Sequence, residues 1–184
     1  MNSKQEISAI NRRAMERCLD RDIMVSIIKS RSINFVRWII KEFGPKGYHV
    51  TSSGSAVIGR DCKPIEVLKI QKDRAIKIIK TAEKCNKCFV VITENGDIKY
   101  SNDHPNFDYI GEDRSLLIRE DDLTADEILS KTLQITFITD EKDGFNKFLE
   151  DNINGPLELR RGGTYFLNVI NKNAGKVFGF KKNP

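Results

Sequence analysis

The chain has 184 residues, of which 31 are basic and 26 acidic, so its formal net charge is +5. With 39% hydrophobic and 31% charged residues it has the composition of an ordinary folded protein, large enough for one good core or two small ones. No apolar stretch approaches the roughly 20 residues that span a bilayer, and residues 1–13 lack the apolar region of a signal peptide. From the lack of both segments we expect no membrane among the partners and a cytoplasmic location. Because basic and acidic residues are interspersed, we also expect no specific nucleic acid.

The first part of the chain predicts alternating helices and strands. The nearly continuous apolar run over residues 23–28 is typical of a buried parallel strand, and Gly44-Pro45 is a typical helix stop. Such alternation predicts α/β layering with a parallel sheet. The predicted elements are a helix over residues 7–18, a strand over 23–28, a helix over 33–43, and strands over 48–50 and 56–58.

The second part predicts antiparallel strands with helices on one face. Asn95-Gly96 is a hairpin signal, and Thr124 to Glu127 has the spacing of a capping box. Residues 101–120 are polar and are predicted to be mostly loop. The remaining predicted elements are a helix over residues 72–86, strands over 89–93, 98–100 and 133–139, a helix with Phe145, Phe148 and Leu149 on one face, and a hairpin of 157–160 and 165–170.

Cysteines and acidic pairs carry no strong functional signal. We expect Cys18, Cys62, Cys85 and Cys88 to be reduced thiols, because neither histidine has the spacing that would complete a zinc site. Asp20-Arg-Asp22 precedes a strand, whereas open α/β sheets bind ligands outside the carboxyl ends of their strands. We therefore expect that pair to lie in a solvated turn, and Glu120-Asp-Asp122 to be a charged lead-in to a helix.

Three segments in order carry a resemblance to a known family. Val25-Ser-Ile-Ile-Lys-Ser-Arg31 is followed by an amphipathic helix, Tyr48-His-Val-Thr-Ser-Ser-Gly54 ends a strand, and Tyr165 to Lys176 leads from the second region back to the first. These segments resemble the second motif, the entry into the cap and the return to the core of Cof-type members of the haloacid dehalogenase (HAD) superfamily. The resemblance covers residues 3–176.

The resemblance implies an α/β fold with a partial HAD-like (Rossmannoid) core and an inserted α+β cap domain. On this basis we expect the partial core at residues 1–59, the cap at 60–168 and the return segment to the core at 169–184.

Family chemistry needs an aspartate nucleophile and a second aspartate as general acid and base, both in an Asp-x-Asp-Gly-Thr motif, and magnesium held partly by a later Gly-Asp motif. Neither motif is found in the 184 residues. We therefore expect no catalytic residue and no metal ligand in this chain, and no bound magnesium, although the family uses it.

The retained motif positions imply a phosphate-binding set. The matching positions are Lys29, Ser30, Arg31, Ser53, Gly54 and Lys176. They depart from the family pattern, since Lys29 replaces a threonine, Ser30 a glycine and Ser53 an asparagine, while Val177 replaces the glycine after the lysine. A lysine at a strand end can still neutralise phosphate, and a serine hydroxyl can bond an oxygen. For Lys29, Ser30 and Arg31 a polar strand end without a ligand is the competing interpretation, and for Lys176 it is an exposed helix lysine.

Two functions follow from the resemblance. One is a magnesium-dependent phosphatase of small phosphorylated metabolites such as sugar phosphates, inactive as this chain alone. The alternative is a non-catalytic remnant that binds a phosphorylated small molecule or a protein. Because the family's first strand would lie beside residues 23–28, we also expect an unpaired edge there, and hence a rearranged core, self-association or pairing with a separate fragment.

Overall fold

The computed structural model describes residues 7–139 and 145–175, and its strands form two sheets. No helix within these two ranges is long and apolar enough to cross a membrane. The helices are α1 (Ala9–Asp20), α2 (Ile33–Phe43), α3 (Lys72–Lys84), α4 (Asp126–Leu129) and α5 (Phe145–Asn152), and two 3₁₀ segments cover Ser52–Gly54 and Pro105–Leu116. The strands are β1 (His49–Thr51), β2 (Ala56–Ile58), β3 (Pro64–Val67), β4 (Phe89–Thr93), β5 (Ile98–Tyr100), β6 (Leu117–Arg119), β7 (Thr132–Ile138), β8 (Leu157–Arg161) and β9 (Phe166–Asn171).

Helix α2 anchors the smaller core. It ends as predicted at Gly44, which adopts a left-handed φ of 56° and donates its N–H to the Ile40 carbonyl. Helix α1 begins at Ser8, whose side chain accepts a hydrogen bond from the Asn11 N–H, but it contributes no buried residue. The residues that α2 buries are Ile33, Phe35, Val36, Ile39 and Ile40.

The predicted strand over residues 23–28 is extended but forms a single bridge, parallel, between Ile28 and Val50. The Val50 N–H donates to the Ile27 carbonyl and the Lys29 N–H to the Val50 carbonyl. Its parallel direction is confirmed. The prediction of a buried strand is wrong for its start, because α1 buries nothing against it and Ile23 and Met24 are 48% and 53% exposed.

The small sheet itself is antiparallel, in the order β1-β2-β3. The parallel sheet predicted for this region is therefore limited to the Ile28 bridge. The boundary predicted at residue 60 falls between β2 and β3, inside this sheet.

The larger sheet has the order β6-β5-β4-β7-β9-β8 and is antiparallel except between β5 and β6. The hairpin at Asn95-Gly96 joins β4 and β5, with Gly96 at a φ of 90°. One face packs against α3, α4 and α5 through a buried cluster that includes Ile79, Leu129 and Phe137. The predicted layer of antiparallel strands with helices on one face is confirmed.

Two predictions in this region are wrong. Residues 105–116 form a 3₁₀ segment and 117–119 a strand, because Pro105 starts the segment, His104 Nδ1 accepts the Asn106 N–H, and buried Phe107 packs under it. The proposed capping box does not form, since α4 begins after Ala125. Instead, the Asp122 carboxylate accepts hydrogen bonds from both the N–H and the hydroxyl of Thr124.

His49 is a fully buried histidine in the small sheet. Its Nδ1 accepts the Ile27 N–H at 3.1 Å, and its Nε2 has no hydrogen-bond partner among the described residues. Burial lowers the pKa of His49 from 6.5 to about 4. The imidazole is therefore neutral in the folded chain at neutral pH.

We predict that acid destabilises the chain through His49. Between pH 6.5 and 4 the unfolded chain binds a proton that the folded chain excludes. The free energy of unfolding therefore falls as the pH is lowered, by roughly 3 kcal/mol at pH 4 relative to neutral pH. Urea unfolding from pH 7.5 to 4 measures it. His49→Gln should flatten this dependence and His104→Gln should keep it; equal curves for both variants would contradict the prediction.

The edge at residues 23–28 leads to a second prediction. Within the described ranges no strand pairs with the side opposite β1, and exposed backbone of this kind pairs with other chains. We expect sedimentation at micromolar concentration to show self-association, which Met24→Lys should weaken. Ile118→Lys, which adds the same charge to the exposed edge strand β6, should leave the self-association unchanged. A chain that stays monomeric at every concentration would contradict association through residues 23–28.

Candidate functional site

A cavity of about 400 Å³ lies between the start of α2 and the second face of the larger sheet. A volume of this size is typical of small-molecule sites. Its walls come from three places: residues 28–32 with Phe35, the core-facing side of strands β4, β5, β7 and β9, and the end of the 3₁₀ segment. The small core and the larger sheet both contribute residues to this cavity.

Backbone hydrogen bonds position the first wall. The Ser52 N–H donates to the Arg31 carbonyl at 2.8 Å and the Ser53 N–H to the Ser30 carbonyl at 3.1 Å. Residues 29–31 therefore lie beside the turn that follows β1, at the carboxyl ends of two parallel segments. Ligands bind at such ends in open α/β sheets.

Ser32 ends this wall as the N-cap of α2. It is 1% exposed and its side chain makes no capping hydrogen bond. Its Oγ has no hydrogen-bond partner among the described residues. A buried hydroxyl without a partner is costly, and here it lies at the positive end of an 11-residue helix.

Two cations accompany that helix end. Lys29 Nζ lies 6.0 Å from the centre of the Phe35 ring and Arg31 Cζ lies 4.5 Å from it. Burial lowers the pKa of Arg31, but a guanidinium stays charged at neutral pH. This end of the cavity therefore favours an anion.

The opposite wall carries a buried polar cluster. Gln134 Nε2 donates to Thr136 Oγ1 at 2.7 Å and to Asn168 Oδ1 at 3.0 Å, and Thr136 Oγ1 donates to Asn168 Oδ1 at 2.9 Å. We call these three residues the amide cluster. All are buried, and they share one face because Gln134 and Thr136 alternate on β7 while Asn168 pairs with Thr136 from β9.

The remaining walls are apolar. The residues that form them are Ile28 and Phe35 from the core, Val90, Ile92, Ile98, Ile138 and Phe166 from the sheet, and Ile110, Leu116 and Leu117 from the 3₁₀ segment and the strand after it.

The predicted binding residues are only partly brought together. Lys29, Ser30 and Arg31 line the cavity, whereas Ser53 and Gly54 do not. Lys176 and Val177 lie outside the described residues. The binding roles of all six positions remain predictions.

Ser53 and Gly54, in the turn between β1 and β2, lie against the chain just after β9. Gly54 has a φ of 96°, and a Cβ there would lie 2.4 Å from the Gly175 backbone. Arg160 bridges these two segments, with Nη1 donating to the Ser53 carbonyl at 3.4 Å and Nη2 to the Ala174 carbonyl at 2.8 Å. We call this contact the linker crossing. Glu158 orients the Arg160 guanidinium through two 2.8 Å hydrogen bonds.

Sequence reasoning missed Ser32 and the amide cluster. The signal for the cluster was the alternation Leu133-Gln-Ile-Thr-Phe137 on β7, which normally indicates one solvated face. Here both faces are covered, and Gln134 is 2% exposed.

The acidic pairs lie apart from the cavity. Asp22 is exposed and pairs with Lys46, whose hydrogen bond and charge lower the pKa of the Asp22 carboxyl. Asp122 is likewise exposed and bonds Thr124. The described cavity lining contains no aspartate or glutamate, so it lacks the carboxylate oxygens that magnesium prefers. These lining residues do not fit a magnesium site.

Comparisons with known proteins point to one family. A family model described as haloacid dehalogenase-like hydrolase matches residues 1–182. No curated protein sequence matches the chain. The matched family is the one that the three sequence segments resemble.

Solved structures share the fold. A haloacid dehalogenase-like hydrolase from Bacteroides thetaiotaomicron superposes with a TM-score of 0.85 at 16% identity, covering 98% of this chain and 70% of its own. One from B. subtilis has a TM-score of 0.81 at 17% identity, covering 98% and 73%. A structure from B. thetaiotaomicron described among the phosphatases of the superfamily has a TM-score of 0.76 at 16% identity, covering 98% and 66%. The predicted α/β fold class is confirmed.

The linker crossing predicts a specific sensitivity at Gly54. Gly54→Ala adds a Cβ against the Gly175 backbone, while Gly163, at a similar φ of 102°, has nothing within 4 Å. Both substitutions strain the backbone, but only the first also crowds it. We expect Gly54→Ala to lower the free energy of unfolding, measured in urea, by about 2 kcal/mol more than Gly163→Ala. Equal losses would mean that the crossing is not tightly packed.

Proposed function

Since this chain belongs to the haloacid dehalogenase-like hydrolases, we propose that its cavity binds the phosphate group of a small phosphorylated molecule. The observation that carries the proposal is the buried, unpartnered Ser32 Oγ at the start of α2. Helix N-termini bind phosphate through their positive end and free N–H groups. Ser32 adds a hydroxyl at that place.

Lys29 and Arg31 support the same proposal. They flank Ser30 in the sequence, and Ser30 is exposed and lines the cavity. A phosphate dianion placed there would meet two cations and two hydroxyls, and charge-assisted hydrogen bonds of this type are the strongest polar contacts in proteins. Sugar phosphates are the first ligand class to test, because the family resemblance implies them.

We propose that the described residues bind a phosphoester without hydrolysing it. Hydrolysis by the family's route needs a carboxylate that accepts the phosphoryl group, and the described lining has none. The second candidate is a magnesium-dependent phosphatase, in line with the solved relative described among phosphatases.

A cytoplasmic location is part of the proposal. All four cysteines are free, and burial raises the pKa of Cys88 to about 12, so that this thiol stays protonated. Free thiols of this kind persist in a reducing compartment.

Phosphate binding is tested by calorimetry with inorganic phosphate and glucose 6-phosphate. We expect Lys29→Gln and Arg31→Gln each to weaken binding about tenfold, because each removes a charged partner of the anion. Lys77→Gln, on an exposed position of α3, removes the same charge elsewhere and should change nothing. Equal weakening by all three would indicate general attraction to a basic protein and would contradict a defined site.

The phosphatase alternative needs a separate assay. Release of inorganic phosphate is followed with and without magnesium. Turnover that requires magnesium and is lost in Lys29→Gln would contradict the proposal of binding without hydrolysis. It would support a magnesium-dependent phosphatase that acts at the same cavity.

A further inference from the structure

The amide cluster has one atom left over. Both Nε2 hydrogens of Gln134 are used, one by Thr136 and one by Asn168. The Gln134 Oε1 is buried and has no hydrogen-bond partner among the described residues.

An unpartnered carbonyl oxygen at a cavity wall is a hydrogen-bond acceptor without a donor. A buried acceptor without a partner costs more than an ordinary hydrogen bond contributes to stability. Gln134 lines the cavity, so a ligand there can supply the missing donor.

Most of the remaining lining of the cavity is apolar. It includes Ile92, Ile98, Ile138 and Phe166 from the sheet and Phe35 from α2. A sugar carries a hydroxyl on most of its carbons, and each hydroxyl that loses water here without a partner is penalised. A flat hydrocarbon or heteroaromatic ring would instead gain from burial against these side chains.

We propose that the ligand of this cavity is a phosphomonoester with a planar apolar body that carries an N–H or O–H donor for Gln134 Oε1. The inference rests on the proposed function, because the phosphate is assigned to the Lys29–Ser32 end. It replaces the sugar phosphates expected from the family resemblance with an aromatic class. In this arrangement the cationic end binds the anion and Gln134 Oε1 accepts a hydrogen bond from the donor on the ring.

The test is a series of probes bound to the unmodified chain: inorganic phosphate, glucose 6-phosphate, phenyl phosphate, and 3- and 4-aminophenyl phosphate. Phenyl phosphate should bind at least about tenfold more tightly than glucose 6-phosphate, because its ring is buried. At least one aminophenyl isomer should bind about threefold to tenfold more tightly than phenyl phosphate, because it adds one hydrogen bond.

Gln134→Met isolates the acceptor. It keeps the length of the side chain and removes the amide, so the preference for the aminophenyl isomer should disappear while phenyl phosphate still binds. Thermal unfolding and the affinity for inorganic phosphate check that the variant is folded. Because the probe series on the unmodified chain needs no variant, the proposal stays testable if Gln134→Met does not fold.

The outcomes separate this inference from the proposed function. Glucose 6-phosphate binding as tightly as phenyl phosphate would overturn the aromatic class and leave phosphate binding intact. Aminophenyl isomers no tighter than phenyl phosphate would overturn the role of Gln134. If no probe binds, inorganic phosphate included, the proposed function fails and the inference fails with it.

Discussion

The linker crossing is the constraint on which the cavity depends. Gly54 packs directly against Gly175, and the Arg160 guanidinium joins these two segments through the carbonyls of Ser53 and Ala174. Because Arg160 belongs to β8 of the larger sheet, this contact sets where the sheet lies relative to the core. A second contact acts at the other end, where Asn34 donates to the Gly96 carbonyl at 2.9 Å. The face of the sheet that carries the amide cluster is therefore positioned opposite the start of α2.

The cavity that results is asymmetric in its chemistry. Its core end has two cations, a helix N-terminus and an unpartnered hydroxyl, and its sheet end has apolar walls with one unpartnered carbonyl oxygen. Such an arrangement separates binding of an anion from recognition of what is attached to it. Changes to the sheet face can alter the ligand while the core end keeps its preference for phosphate.

Local signals predicted most elements, and long-range packing explains the failures. Gly44-Pro45 and Asn95-Gly96 act through their own backbone angles, so their helix stop and hairpin could be predicted from neighbouring residues alone. Residues 101–120 contain no comparable periodicity, and their 3₁₀ segment depends on Phe107 packing under it. The capping box failed for a local reason instead, because the Asp122 carboxylate two residues earlier accepts the Thr124 N–H.

By itself the sequence determined the family, the helices and the strands other than β3 and β6, and the cationic character of residues 29–31, since these depend on local residue types and their spacing. Only the tertiary structure decided which polar residues meet. Gln134 and Asn168 are far apart along the chain, and their contact exists because β7 pairs with β9 in one register. Ser53 and Gly54 meet Ala174 and Gly175 for the same reason, since the residues after β9 lie beside the turn that follows β1, and their binding role remains a prediction. A motif specifies residue types along one segment, whereas a binding site is made by side chains from several segments that only folding brings together.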